Sequence, residues 1–307
     1  MPPSIVASAP GSAMLFGEHA VLRGGPAVVA AIERRLHVRV TPRSDEVIDV
    51  CSSLGNVSTT CSELSFGKNL RFVEGVFCHL CPRRGFSVTI TSSIDPTVGL
   101  ASSASVTVAL LAALQTLERG SLDRRTLLLD SCAVIRSVQG HGSGADAASI
   151  VHGGVIAYRM DGALVTSLCE DLPLVLLSSG KKTPTPEVIL HVNGAESASP
   201  HVYKELFGAI NAVSSAAIDA IQSHNLQKAG LLMNQAHGLM EAMGVGTPEL
   251  SCLCWALRRE PTIFGAKISG SGLGDAAVGL GSLPPSFAGL VLPSTVAKSG
   301  VGVTWSQ

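Results

Sequence analysis

Asp95-Pro96-Thr97-Val98-Gly99-Leu100-Ala101-Ser102-Ser103-Ala104-Ser105 joins two different periodicities. Residues 86–91 before it read Phe-Ser-Val-Thr-Ile-Thr, a β-rich run, and 106–117 after it carry a long apolar helix pattern. A Gly/Ser-rich turn therefore leads from a strand into the start of a helix. Unpaired backbone N–H groups point out of such a start, and the helix dipole favours an anion there. Gly99 permits tight curvature, and the small residues Ala101, Ser102 and Ser103 allow a phosphate to come close. The hydroxyls of Ser102 and Ser103 could reach phosphate or a magnesium ion. The loop lacks the Gly-Lys-Ser/Thr ending of a Walker A motif. Taken alone, it fits a Ser-capped helix equally well.

Two further glycine-rich turns change that balance. Gly140-His-Gly-Ser-Gly-Ala-Asp146 ends in a carboxylate that opens a short helix at 147–151. Three glycines in five residues cost conformational entropy, which implies unusual dihedrals or a close ligand. Asp146 fits a helix cap and a catalytic carboxylate about equally. Ser269-Gly-Ser-Gly-Leu-Gly274 follows a strand at 264–268, and a helix or strand resumes at 275–280. Near the start, Glu18-His19 lies between apolar stretches, placed either as a surface pair at a turn or as a polar pair aimed into a pocket. The loop 178–186 carries Lys181, Lys182 and Thr185 and is restricted by two prolines.

The rest of the chain bounds the class. Its 307 residues suffice for one large or two medium domains, and 46% apolar against 15% charged residues argues for substantial cores. A net charge of −1 points to no nucleic-acid partner. No apolar run of membrane-spanning length occurs, and residues 1–10 do not resemble a signal peptide. The expected setting is cytoplasmic, with the eight cysteines as reduced thiols. Cys78-His79-Leu80-Cys81 looks like half a zinc site, but no second pair completes it, so core thiols are expected.

In order, strands are expected at 4–9, 27–31, 36–41, 45–53, 86–94, 155–159, 172–177, 264–268, 290–293 and 301–305, with a turn at Pro10-Gly11. Helices are expected at 69–80, 106–117, 122–138, 203–221, 226–240 and 247–257. The shift to mainly helical sequence puts a domain division near 180–200, drawn as residues 1–185 and 186–307.

Four stretches stand in the order and spacing of a known family. Ala9-Pro10-Gly11 with Gly17-Glu18-His19-Ala20-Val21, Pro96 with Gly99-Leu100-Ala101-Ser102-Ser103-Ala104, Gly142-Ser143-Gly144-Ala145-Asp146, and Lys267-Ile268-Ser269-Gly270-Ser271-Gly272 resemble the motifs of the GHMP kinases, nearest to their mevalonate kinase branch. The resemblance implies an α+β fold of two domains, the first ribosomal-protein-S5-like and the second ferredoxin-like with added helices. It implies ATP-dependent, magnesium-assisted phosphorylation of the primary alcohol of mevalonate, a step toward isoprenoid precursors. By position, Gly99 to Ala104 would hold the ATP phosphates and Ser103 would reach magnesium. Asp146 would sit at the attacked hydroxyl. Glu18, His19 and Thr185 would line the acceptor pocket, with Gly270, Ser271 and Gly272 shaping it from the second domain. Dimers are common in the family, which leaves a homodimer open.

The chain departs from that pattern at three positions, one of them the mild change of the loop's first Gly-Leu-Gly to Gly99-Leu100-Ala101. Ser12 stands where the family carries a lysine beside the catalytic aspartate, and Ile135 stands at the spacing of a magnesium-binding glutamate. Lys181 and Lys182 are the leading substitute cations. Direct hydrogen bonding of Ser12 to Asp146 is the other solution. Loss of the lysine and glutamate also fits a non-catalytic ligand sensor of the same fold. Another small-molecule kinase of the superfamily, acting on phosphomevalonate or a different alcohol, is the nearer alternative.

Overall fold

The computed structural model describes residues 4–287, 289–292 and 294–306. The chain begins with β1 (Ser4–Phe16), β2 (Ala27–Pro42), β3 (Val47–Ser52), β4 (Gly55–Thr60), α1 (Arg71–Leu80) and β5 (Phe86–Ser92). It continues through α2 (Ser102–Arg119), α3 (Arg124–Gln139), α4 (Ala145–His152), β6 (Val155–Arg159), β7 (Leu164–Cys169) and β8 (Leu174–Ser178). The remainder is α5 (Thr185–Ala198), α6 (Pro200–Gln222), α7 (Leu226–Ala242), α8 (Pro248–Arg258), β9 (Ile263–Ser269), β10 (Ala276–Gly281), β11 (Val291–Leu292) and β12 (Gly302–Ser306).

This is an α+β architecture with two sheets. The first runs β12-β1-β2-β5-β3-β4, with β6 on β2 and β7 on β6; the second runs β11-β8-β10-β9. Helix α2 lies against β1 and β2, flanked by α1, α3 and α4, while α7 and α8 pack on the second sheet. Leu110 and Leu111 of α2 are wholly buried, and each such side chain contributes about 1.5–3 kcal/mol. The expected division at 185/186 falls at the start of α5, while β8 already lies in the second sheet and β12 lies in the first.

Several elements differ from the sequence expectation. The segments 4–9 and 14–16 form one strand, because the ladder absorbs Pro10-Gly11 as a register shift and not as a turn. A bulge needs no ladder bond from proline, so the strand survives. The bulge also seats the Asp95–Ser105 turn: Ser12 N donates to Leu100 O at 3.2 Å. The runs 27–31 and 36–41 are likewise one strand, β2, shared between β6 at one end and β5 at the other. The Ser/Thr-rich connection after β3 is strand β4, β7 was not foreseen, and α5 begins at the end of the expected 178–186 loop and runs through residues for which no element was expected. Residues 276–281 resolve to strand. Of the segment 290–293, Val291–Leu292 is a strand and Pro293 lies outside the described residues. Cys78 and Cys81 are exposed and not core thiols. Their helix keeps its apolar face on Phe72, Val73, Val76 and Phe77, while His79 pairs with Asp130 at 3.1 Å.

Candidate active site

A cavity of about 830 Å³ opens between the two sheets. Its floor is the Asp95–Ser105 turn. Helix α2 begins at Ser102 immediately after Ala101, whose φ of 56° is left-handed and whose side chain caps nothing. Gly99, at φ 74°, curves the loop. The first amides of α2 are thus presented to the cavity without a side-chain cap, as an anion site requires. Ala101 carries a strain that a glycine would avoid, of order 1 kcal/mol, at the position where the loop must approach its ligand.

Asp146 enters from the first turn of α4. It is not a cap: the N-cap position is Gly144, with no side-chain bond to the helix start. A side chain at Gly144 would overlap Cys132 Sγ and the Tyr158 hydroxyl, so only glycine turns the chain here. The Asp146 carboxylate instead receives the Ser12 hydroxyl, Oγ to Oδ1 at 2.8 Å, and Ser12 Oγ lies 2.8 Å from Ser149 Oγ. Asp146 is exposed to the cavity, whose walls surround its carboxylate with protein on the other sides. Desolvation pushes its pKa up, against the opposing effects of the Ser12 hydrogen bond and of Lys182, and with a smaller push from Glu18.

The opposite wall comes from the loop after β1. His19 Nε2 lies 2.8 Å from Ser271 O, a carbonyl that can only accept, so Nε2 carries the proton. Burial lowers the His19 pKa, which keeps the ring neutral. Glu18 is 3% exposed and pairs with Lys267 Nζ, which is wholly buried and also donates to Ile268 O. This ion pair ties the β1 loop to β9 of the second sheet.

The two candidate lysines separate. Lys182 lines the cavity, donates to Pro96 O at 2.9 Å and acts electrostatically on Asp146. Lys181 points away and pairs with Glu249 at 3.3 Å on the surface. Ser12, Glu18, His19, Gly99, Ala101 to Ala104, Asp146, Lys182, Thr185, Gly270 and Ser271 all line the one cavity. Leu100 is buried beneath it and Gly272 packs against Val245.

Sequence reasoning missed two groups. Lys267 was read only as part of a motif, since nothing in a strand pattern distinguishes a buried lysine. Asp275, directly after the third glycine turn, also lines the cavity. Desolvation pushes its carboxyl up to about 6, with Lys182 opposing and Asp146 adding to the shift. A carboxylate ending a glycine turn was the available signal.

Magnesium can be tested against these residues. Asp146, Asp275 and the Ser103 hydroxyl are hard oxygen donors, and Asp275 Oδ1 is buried with no hydrogen-bond partner among the described residues. That chemistry suits magnesium. Among the described residues no cluster of three or more His, Cys, Asp or Glu side chains could hold a metal ion, so phosphate oxygens and water would complete the shell, as is usual for this ion.

A loop that offers helix amides to phosphate, facing a carboxylate poised over an acceptor pocket, defines a small-molecule phosphotransferase. Family models agree: the GHMP kinases N terminal domain matches residues 70–154, the GHMP kinases C terminal matches 217–286, and the galactokinase galactose-binding signature matches 1–42. The mevalonate kinase of Aeropyrum pernix is 30% identical, covering 89% of this chain and 87% of its own. That of Archaeoglobus fulgidus is 32% identical, covering 90% and 92%. The crystal structure of L. major mevalonate kinase in complex with R-mevalonate superposes with a TM-score of 0.77 at 25% identity, over 95% of this chain and 96% of that one. The chain belongs to the GHMP kinase family, on its mevalonate kinase branch. Among the described residues no helix is long and apolar enough to cross a membrane.

Proposed function

We propose that the chain transfers the γ-phosphoryl group of ATP to the primary alcohol of (R)-mevalonate, giving 5-phosphomevalonate. The observation that carries this reading is the Ser12–Asp146 pair, set in one cavity with the start of α2 and the Glu18–His19 wall.

Phosphoryl transfer asks mainly for positioning and charge neutralisation. The amides at the start of α2 and the hydroxyls of Ser102 and Ser103 would hold the phosphates. Magnesium, held toward Ser103 and the cavity carboxylates, would supply further neutralisation when bound with ATP. Lys182 supplies the positive charge that position 12 lacks, acting on Asp146 through space. Asp146 orients the acceptor hydroxyl and takes its proton late, as the O–P bond forms. Its raised pKa makes it a stronger base than an ordinary carboxylate. Ser12 fixes the orientation of the carboxylate that the missing lysine would otherwise hold. Glu18, clamped by Lys267, together with His19 and Thr185, would bind the acceptor. We place the reaction in the cytoplasm, in keeping with eight free thiols.

Coupled ADP release with ATP, magnesium and (R)-mevalonate tests the reading. Turnover with mevalonate well above that with phosphomevalonate or galactose supports it. Preference for another acceptor would move the substrate, and ATP binding without turnover on any acceptor would make the chain a sensor.

A further inference from the structure

Asp275 is held in a conformation that folding alone does not favour. Its φ is 67°, left-handed and not glycine, and its backbone is clamped from both sides: its N donates to Lys181 O at 2.7 Å, and Ser179 N donates to its O at 2.9 Å. Its side chain is 8% exposed, and Oδ1 is sealed without a hydrogen-bond partner among the described residues. A buried carboxylate left unpaired is costly. Strain and an orphaned charge at one residue mark a functional position more often than a structural one.

Its surroundings indicate the function. A methyl group added at Gly99 would come within 3.0 Å of Asp275 Cβ and 3.3 Å of Oδ1, and one added at Gly270 would lie 3.5 Å from Oδ2. The carboxylate therefore lies against the phosphate loop, between it and the third glycine turn. Lys182 is the facing cation, but its Nζ hydrogen bond goes to Pro96 O. An anion beside a phosphate loop opposes nucleotide binding unless a cation stands between them. Ile135 lines the same cavity, and its side chain offers no oxygen to a metal ion.

We infer that Asp275 is the carboxylate this chain turns toward the magnesium ion carried with ATP, and that it makes nucleotide binding depend on that metal. The inference rests on the ATP-dependent reading above and adds a residue to it.

The test is binding of a non-hydrolysable ATP analogue to the full chain, wild type and Asp275→Asn, by calorimetry in EDTA and again with saturating Mn²⁺. Electron paramagnetic resonance counts the bound Mn²⁺ in the same samples. The wild type should bind about a hundredfold more tightly with metal. In Asp275→Asn that ratio should shrink at least tenfold from both ends, with tighter binding in EDTA and weaker binding with Mn²⁺. Thermal melting should be no lower than wild type, because a buried unpaired charge has been removed. An unchanged ratio overturns the inference, and so does equal weakening in both arms, which a purely structural role would give. Failure of the wild type to bind the analogue under either condition would overturn the ATP-dependent reading along with it.

Discussion

Ser12 Oγ donates to Asp146 Oδ1 at 2.8 Å, so a neutral hydroxyl holds the carboxylate that faces the cavity. A hydrogen bond to a charged group is worth about 1.5–3 kcal/mol. Ser12→Ala should therefore lower kcat roughly tenfold or more. Because Ser12 opposes the desolvation of Asp146, its loss should also raise the Asp146 pKa. The acid limb of the kcat–pH profile should then move to higher pH. Steady-state kinetics across pH checks both effects.

Lys182 and Lys181 are adjacent in sequence and opposite in direction. Lys182→Met should lower kcat/KM by about ten- to a hundredfold, as for other groups that stabilise transferring phosphate. Lys181→Met breaks only an exposed pair with Glu249, worth about 0–1 kcal/mol, and should leave turnover within about twofold. Equal effects at the two positions would remove Lys182 from its proposed role.

How much of this was legible beforehand depended on the residue. The three glycine turns could be read because their composition is itself the signal. Strand β4 could not, because Gly55–Thr60 offers one apolar residue to an alternation test. Helix α5 was hidden behind Pro184 and Pro186, which read as loop but form its N-cap and part of its first turn. Ser12 was visible as a departure, and a hydrogen bond to Asp146 was one of two solutions in view. The divergence of Lys181 from Lys182, and the burial of Lys267, depend on contacts between segments far apart in the chain. Local pattern does not carry that information.

The Glu18–Lys267 pair is fully buried and joins the two sheets. Lys267→Met alone leaves an uncompensated carboxylate and should destabilise the fold by about 3–5 kcal/mol. The double change Glu18→Gln with Lys267→Met should recover part of that loss while leaving the acceptor KM high. Denaturant unfolding of the single and double variants measures the coupling.

His237 is buried on α7, and desolvation with the nearby Arg258 lowers its pKa to about 4, against a smaller upward pull from Glu241. The folded state therefore resists protonation that the unfolded chain accepts at about 6.5. The stability from the neutral ring is present above pH 6.5 and is lost as pH falls toward about 4. His237→Gln should flatten that part of the stability–pH curve, and urea unfolding at pH 7, 5.5 and 4.5 would show it.

The most direct test of the central claim is single-turnover phosphorylation of (R)-mevalonate by wild type and Asp146→Asn, with analogue binding measured in parallel. The account predicts that the phosphoryl-transfer rate collapses by at least about a hundredfold while the ATP analogue binds with near wild-type affinity. An Asp146→Asn protein that still transfers phosphate at close to the wild-type rate would contradict it.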